Sequence, residues 1–387
     1  MNSTPKRVES ADNSIVYRSS DEFAAWPFNG GMWRTEEDGV VTAFLKHGCD
    51  YSVPEDLHDT DVVRYGSVVS PVENKQNQLS HARVETYGNI ASMRTQDGGD
   101  TWDDAGVVSD NVDTSEAVLY DEKPEKASYD FRDPNVLMAC WSAPHSAAAN
   151  AVPWVKVSED AGRTWDDPVR LPMFDFRRIQ GRPSYLVRPD GTVLLFLTGK
   201  RESDPHDVPI VYASFDGGAN WSYLSQISGN ESYRMLCPSP VVLADGTIVA
   251  AVRCKISVNC EWTKIYKSDD GGRSWSYVTR LNDLGAPTKL LQHDDALVGI
   301  YGYRHPPYGI RARVSTDDGA SWGREWILRE DGANYDLGYP RAVSLDDGTI
   351  LTAYYFNQES DTTSVGGGPR YIASTRFDPA ELIDDMM

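Results

Sequence analysis

One eight-residue phrase occurs five times in this chain, at Thr95–Trp102, Ser158–Trp165, Ser214–Trp221, Ser268–Trp275 and Ser315–Trp322. Its common form is Ser/Thr-x-Asp-x-Gly-x-Ser/Thr/Asn-Trp. Each residue type suits a tight turn. Asp and Ser/Thr side chains bond nearby backbone groups, Gly accepts a positive φ, and Trp buries a large ring against neighbouring structure. The phrases recur about every 50 residues, the period of a closed array such as a propeller.

A second turn signal precedes most of these phrases. Asp38-Gly39, Asp190-Gly191, Asp245-Gly246 and Asp347-Gly348 lie between apolar runs, which predicts β-hairpins. His293-Asp294-Asp295 takes that place in the fifth unit, and the second unit has no Asp-Gly. Each unit therefore reads strand, hairpin turn, strand, longer loop, strand, Trp phrase, strand. With units starting near Gly31, Pro134, Pro183, Pro240, Thr288 and Arg341, the expectation is an all-β, six-bladed propeller of four-stranded antiparallel blades. The sixth unit lacks a Trp phrase and shows three strands; Ser14–Arg18 would supply its outer strand and close the ring, removing an unpaired edge. Residues 1–13 are expected to be a flexible segment, 14–378 one propeller, and 379–387 a short helical surface tail.

The net charge of −21 argues against general affinity for nucleic acid or anionic membranes. There is no apolar run long enough for a transmembrane helix, and the first residues lack the apolar core of a secretory signal. Five scattered cysteines suit a reduced, cytoplasmic setting better than a disulfide framework. No spacing resembles a metal site, and no cofactor is expected.

Strand parity places the hairpin turns and Trp phrases at one end of the ring and the irregular loops at the other, where chemistry would sit. That second end is expected to collect Arg83, Arg132, Arg182, Arg253, Arg304, Arg311 and Arg341, with Tyr303, Tyr308, Tyr335 and Tyr339. Planar guanidinium groups match carboxylates bidentately. Arginines converging on one pit of so acidic a chain point to an anionic ligand, most simply a sugar acid.

The repeated phrase is the Asp box, and from Ile15 to Phe377 the chain resembles the sialidase (neuraminidase) superfamily, whose members are six-bladed propellers. The resemblance implies an arginine triad gripping a substrate carboxylate, a Tyr nucleophile activated by a Glu, and an Asp acid/base. Arg253 and Arg311 resemble two triad arginines, and Tyr339 resembles the nucleophile. The chain departs from the pattern at three places. Asn29-Gly30-Gly31 stands where the first triad arginine is expected, Cys237-Pro238-Ser239 where the Glu is, and the region of His81-Ala82-Arg83 where the Asp is.

Three functions compete. In an exo-acting glycoside hydrolase of a carboxylated sugar (sialic, ulosonic or uronic), Tyr339 would attack with Glu261 or Asp336 as its base. Asp133 or His81 would donate the proton, and Arg182, Arg253, Arg311 and Arg341 would hold the carboxylate; Arg83, His305 and Tyr303 would line the site. In a polysaccharide lyase, an arginine would neutralise the uronate while His81 or His305 worked with Tyr339 in β-elimination. The third is a sugar-binding propeller without catalysis. In each the partner is an acidic oligosaccharide or glycoconjugate.

Overall fold

A computed structural model describes residues 4–36, 39–49, 51, 88–110, 127–143, 150–229, 231–257, 260–361 and 368–386, apart from the side chains of Arg182 and Pro183. Among these residues, 25 strands form six sheets. Blade one consists of β3 (Glu22–Ala25) and β4 (Gly31–Thr35), which both pair with β5 (Gly39–Gly48), followed by β6 (Asn89–Thr95) and β7 (Asp103–Ser109). Blade two shows three strands, β8 (Leu137–Ala143), β9 (Val152–Ser158) and β10 (Val169–Arg170). Blade three comprises β11 (Arg178–Val187), β12 (Val193–Lys200), β13 (Val208–Ser214) and β14 (Ser222–Gln226). Blade four comprises β15 (Arg234–Val242), β16 (Ile248–Ser257), β17 (Cys260–Ser268) and β18 (Ser276–Asn282). Blade five runs through β19 (Thr288–His293), β20 (Ala296–Tyr303), β21 (Tyr308–Ser315) and β22 (Trp326–Gly332). Blade six contains β23 (Gly338–Ser344), β24 (Ile350–Phe356), β25 (Tyr371–Phe377) and β2 (Asp12–Tyr17).

The innermost strands touch in the cyclic order β4, β8, β11, β15, β19, β23 and back to β4, so the array closes. Closure is made by β2, antiparallel to β25 with Ile15 opposite Ala373, as the strand-like Ser14–Arg18 predicts. Of residues 1–13, expected to be flexible, the described residues 4–13 are instead tied down. Strand β1 (Lys6–Arg7) adds a parallel fifth strand to blade five, and Val8 is buried beside it. The tail forms α2 (Ala380–Ile383), whose Leu382 is buried and whose Glu381 accepts hydrogen bonds from the Glu9 and Ser10 amides.

The Trp phrases form near-identical local turns. In the fourth, Ser268 Oγ accepts the Gly272 amide at 2.8 Å, and the Asp270 carboxylate accepts the Ser274 amide and hydroxyl at 2.8 and 2.6 Å. Those bonds, led by the Ser274 hydroxyl, lower the Asp270 pKa to about 2. The Trp275 ring wedges against Phe196 of blade three, centroids 6.0 Å apart and nearly perpendicular. Each box thus turns the third strand of its blade into the fourth, and its Trp ring packs toward the previous blade, which explains why the tryptophans keep register.

Pro134 does not open a strand. The Asp130–Asn135 stretch is a turn, exposed at Arg132, Asp133 and Pro134, whose Asn135 carbonyl accepts the Ala161 amide inside the second Asp box, and Leu137 pairs with Ser158 at the same end. Blade two therefore enters β8 from the box end, which is why no Asp-Gly hairpin precedes it.

Candidate active site

Four of the six inner strands are interrupted, and each interruption contains an X-Pro pair. Register breaks between Gln180 and Ser184, between Leu236 and Ser239, and between Gly338 and Arg341 contain Pro183, Pro238 and Pro340. Proline has no amide hydrogen to give the ladder, so the pairing fails there. Cys237 and Tyr339, each preceding its proline, take positive φ of 51°. In blade one the same event splits the inner strand: Trp26 (φ 57°) precedes Pro27, and the one-turn helix α1 (Pro27–Gly30) separates β3 from β4. All four residues of α1 are buried, and it packs against β5, β8, β11, β23 and β24, which places it inside the channel. A Cβ on Gly30 would lie 2.1 Å from the Ala43 carbonyl oxygen. The position where the family resemblance expected an arginine is thus a close backbone contact that only glycine fits.

Tyr339, 5% exposed, is the centre of the buried cluster at this end of the channel, hereafter the pit. Its oxygen accepts a hydrogen bond from Arg253 Nη1 at 2.8 Å, and its ring is flanked by the guanidinium carbons of Arg253 and Arg304 at 5.5 and 5.1 Å. Phe28 and Tyr355 pack against the ring, with centroids 6.3 and 5.9 Å away. Arg253 simultaneously binds Glu261 through Nε at 3.0 Å and Nη2 at 2.7 Å, both groups being buried. Glu261 also meets Lys255 Nζ at 2.9 Å. The carboxylate and the phenol are therefore coupled through one guanidinium.

Electrostatics follow from this packing. Burial works against the charge of Glu261, but Arg253, then Lys255 and Arg304, outweigh it and hold the carboxyl at about 2. Lys255 goes the other way: burial, with Arg253 adding repulsion, overcomes the attraction of Glu261 and leaves its ammonium at about 7. The opposite wall is a second buried pair. Asp336 accepts from Arg370 Nε at 3.0 Å and from the Tyr355 hydroxyl at 2.8 Å. Arg304 donates to the Tyr355 oxygen at 3.2 Å and to the Leu337 carbonyl at 2.9 and 3.1 Å. Asp336 thus fixes Tyr355, and Tyr355 helps to fix Arg304 beside Tyr339.

The structure brings Tyr339, Arg253, Glu261 and Asp336 into one cluster, joined by Arg304, Lys255, Tyr355 and Arg370. Arg304 was expected at this end but not in the clamp; Lys255, Tyr355 and Arg370 were not singled out. Their signal was weak, since each is an ordinary strand or loop residue until its blade is placed. The X-Pro pairs repeated ahead of the Asp-Gly turns were the legible signal for Trp26, Cys237 and Tyr339.

The other candidates lie elsewhere. Arg341 crosses the axis from blade six to Ser184 of blade three (2.8 Å) and also binds the Phe28 carbonyl at 2.6 Å. Its guanidinium carbon lies 4.4 Å from the Phe28 ring centroid, and that ring stands between it and Tyr339. It belongs to the layer beneath the pit. Arg311, on β21, is buried within 4.0 Å of Glu325 and 3.6 Å of Glu330, with the Tyr303 ring 4.8 Å away. His305 neighbours Tyr303 at 6.0 Å, so Arg311, Tyr303 and His305 form a separate group in blade five. Asp133 and Arg132 are exposed at the box end, Arg132 paired with Asp130 at 2.7 Å. The strand parity of blade two is inverted relative to expectation, which sends both to the face away from the pit. His81, Arg83 and the Arg182 side chain lie outside the described residues.

The BNR repeat-like domain profile matches residues 132–352, more than half of the chain. The chain belongs to this family. Several solved BNR-like propellers share its fold. A Dyadobacter fermentans protein of unknown function superposes with a TM-score of 0.70 at 22% identity, covering 95% of this chain and 99% of that one. The Hadza microbial sialidase Hz136 gives 0.60 at 14% identity over 96% of this chain and 69% of its own. A Penicillium chrysogenum α-L-arabinanase complexed with arabinobiose gives 0.60 at 12%, over 96% and 98%. No protein of curated function matches the sequence. This BNR repeat-like chain is therefore a six-bladed propeller resembling glycoside hydrolases of more than one specificity.

Proposed function

We propose that the chain is a glycoside hydrolase acting on a carboxylated sugar, with Tyr339 as nucleophile. The observation that carries this reading is the phenol of Tyr339 held at 2.8 Å by Arg253 and flanked by Arg304 at the centre of the pit. The two guanidinium groups would bind the carboxylate on the reacting carbon and stabilise negative charge on the phenol oxygen. A phenol suits a carbon bearing a carboxylate, because a neutral nucleophile is not repelled by it. Tyr339 Oη would attack the anomeric carbon as the leaving oxygen takes a proton, and water would then release the sugar. Lys255, poised near 7 beside Glu261, can give and take that proton near neutrality. The relatives of similar fold, a sialidase and an arabinobiose-binding arabinanase, support glycan chemistry at such a pit.

Lys255 also favours a second reading, β-elimination of a uronate glycan. There its neutral amine would remove the proton beside the carboxylate, and Tyr339 would protonate the leaving oxygen. One screen separates the two: sialosides, ulosonosides and uronic glycans are incubated with the full chain. Release of a saturated reducing acid supports hydrolysis, and a new ultraviolet-absorbing unsaturated product supports elimination. If neither product forms although an acidic sugar binds in a Tyr339-dependent way, the chain is a sugar-binding propeller.

A further inference from the structure

At the pit end, the rim of the channel between blades three and four carries charge of the sign opposite to the chain's. Arg178 is the first residue of β11 and Arg234 the first of β15, so both stand on inner strands beyond the X-Pro breaks. Asp207, buried just ahead of β13, joins them: it accepts from Arg178 Nε at 3.0 Å and from Arg234 Nε at 2.6 Å. Its backbone carbonyl accepts the Met235 amide at 3.0 Å, which fixes the two blades to each other there. Burial works against the Asp207 charge, but Arg234 and then Arg178 outweigh it and hold the carboxyl below its ordinary range. Arg234 stands opposite Lys255 in the ladder of β15 and β16, and its charge acts on that ammonium. Lys255 in turn meets Glu261, the partner of Arg253, at 2.9 Å. A run of charged groups therefore leads from Tyr339 to the rim.

Along this run each carboxylate is shared by two cations. Glu261 pairs with Arg253 and Lys255, and Asp207 pairs with Arg178 and Arg234. Positive charge is left in surplus, in a chain whose net charge is −21. The surplus also has open donors. Arg234 uses only Nε on Asp207, and its two Nη groups make no hydrogen bond with any described residue. Its side chain is 37% exposed. A guanidinium held through Nε by a buried carboxylate, with its outer edge open, matches a carboxylate arriving from solvent.

We propose that Arg234, steadied by Asp207, is a second carboxylate-binding position, and that the substrate is an oligosaccharide carrying acidic groups on successive units. The inference rests on the reading of the pit given above: the terminal acidic sugar enters beside Arg253 and Tyr339, and the next acidic unit lies over the rim. A glycan with one acidic terminus on a neutral stem leaves Arg234 unused.

The test compares ligands with one and two acidic units on the full chain: sialyllactose with disialyllactose, and methyl galacturonoside with digalacturonate. The readout is kcat/KM where a ligand is turned over and calorimetric affinity where it is only bound. In at least one pair the two-acid ligand should be favoured about tenfold, the gain from one charge-assisted pair. Arg234→Gln should bring that ratio close to one, and Arg234→Lys should keep part of it. Equal values within both pairs overturn the proposal and leave the reading of the pit intact. So does an advantage that Arg234→Gln leaves unchanged, which makes Asp207 and its arginines a brace between blades. No response to any of the four ligands counts against the reading of the pit itself and removes the rim site with it.

Discussion

The two ends of the ring are built by different means. At the box end the carboxylates that shape each turn act locally: Asp97, Asp160, Asp216, Asp270 and Asp317 bond groups two to four residues away. At the pit and in the layer beneath it the decisive contacts join residues 86, 157 and 313 positions apart, Arg253 to Tyr339, Arg341 to Ser184 and Arg341 to Phe28. The first end is a repeated solution to one folding problem. The second is assembled once, from side chains that meet only after closure. Damage to the two should therefore separate, stability losses at one and chemical losses at the other.

The sharpest test of that contrast is Tyr339→Phe. It should lower turnover on the productive acidic sugar at least about a thousandfold while leaving the unfolding midpoint nearly unchanged, measured by initial rates and calorimetry. Equal loss in both would mean that the pit is structural. Arg253→Met comes next. It leaves Glu261 buried without its guanidinium, at a cost of about 3–5 kcal/mol in denaturant unfolding, besides weakening ligand binding. The contrast would fail if this residue proved silent in stability, since it is the one pit residue expected to matter for both.

Trp221→Ala, at the box end, removes a ring that is 7% exposed and should cost about 3 kcal/mol, with KM and specificity unaltered. Acid supplies a graded version of the Arg253 test. The folded-state pKa of Glu261 lies at about 2, below the ordinary 4.5. Its contribution is thus complete above the unfolded value and is lost as pH falls from about 4.5 toward 2, roughly 3 kcal/mol in all. Parent and Glu261→Gln should converge over that window in pH-dependent denaturation; parallel curves would remove the argument. Asp270→Ala should have the smallest effect, about 1 kcal/mol, with no change in activity.

Much of the box end was readable beforehand because turn chemistry is local. Ser/Thr, Asp, Gly and Trp at fixed offsets name both the turn and the ring that packs behind it. The propeller, its six blades and its closure by Ser14–Arg18 followed from repeating that motif. The pit was legible only in part. Arg253, Tyr339, Glu261 and Asp336 could be proposed from their places beside hairpins and loops. Arg341, two positions after Tyr339, looked equivalent, yet the intervening Phe28 comes from a helix more than 300 residues earlier. Asp133 depended on the strand parity of blade two, which had no hairpin signal to set it.

What the sequence determined by itself is the periodic part: five Asp boxes, the hairpins between them, and hence radial sheets with their two distinct ends. Short-range hydrogen bonding and apolar alternation specify those directly. The tertiary structure alone decided which cations reach Tyr339, that α1 fills the channel, and that Arg341 lies beneath it. Those outcomes depend on how far the interrupted inner strands extend before their X-Pro breaks and on which blade faces which across the axis. No local spacing encodes a distance between opposite sides of a ring.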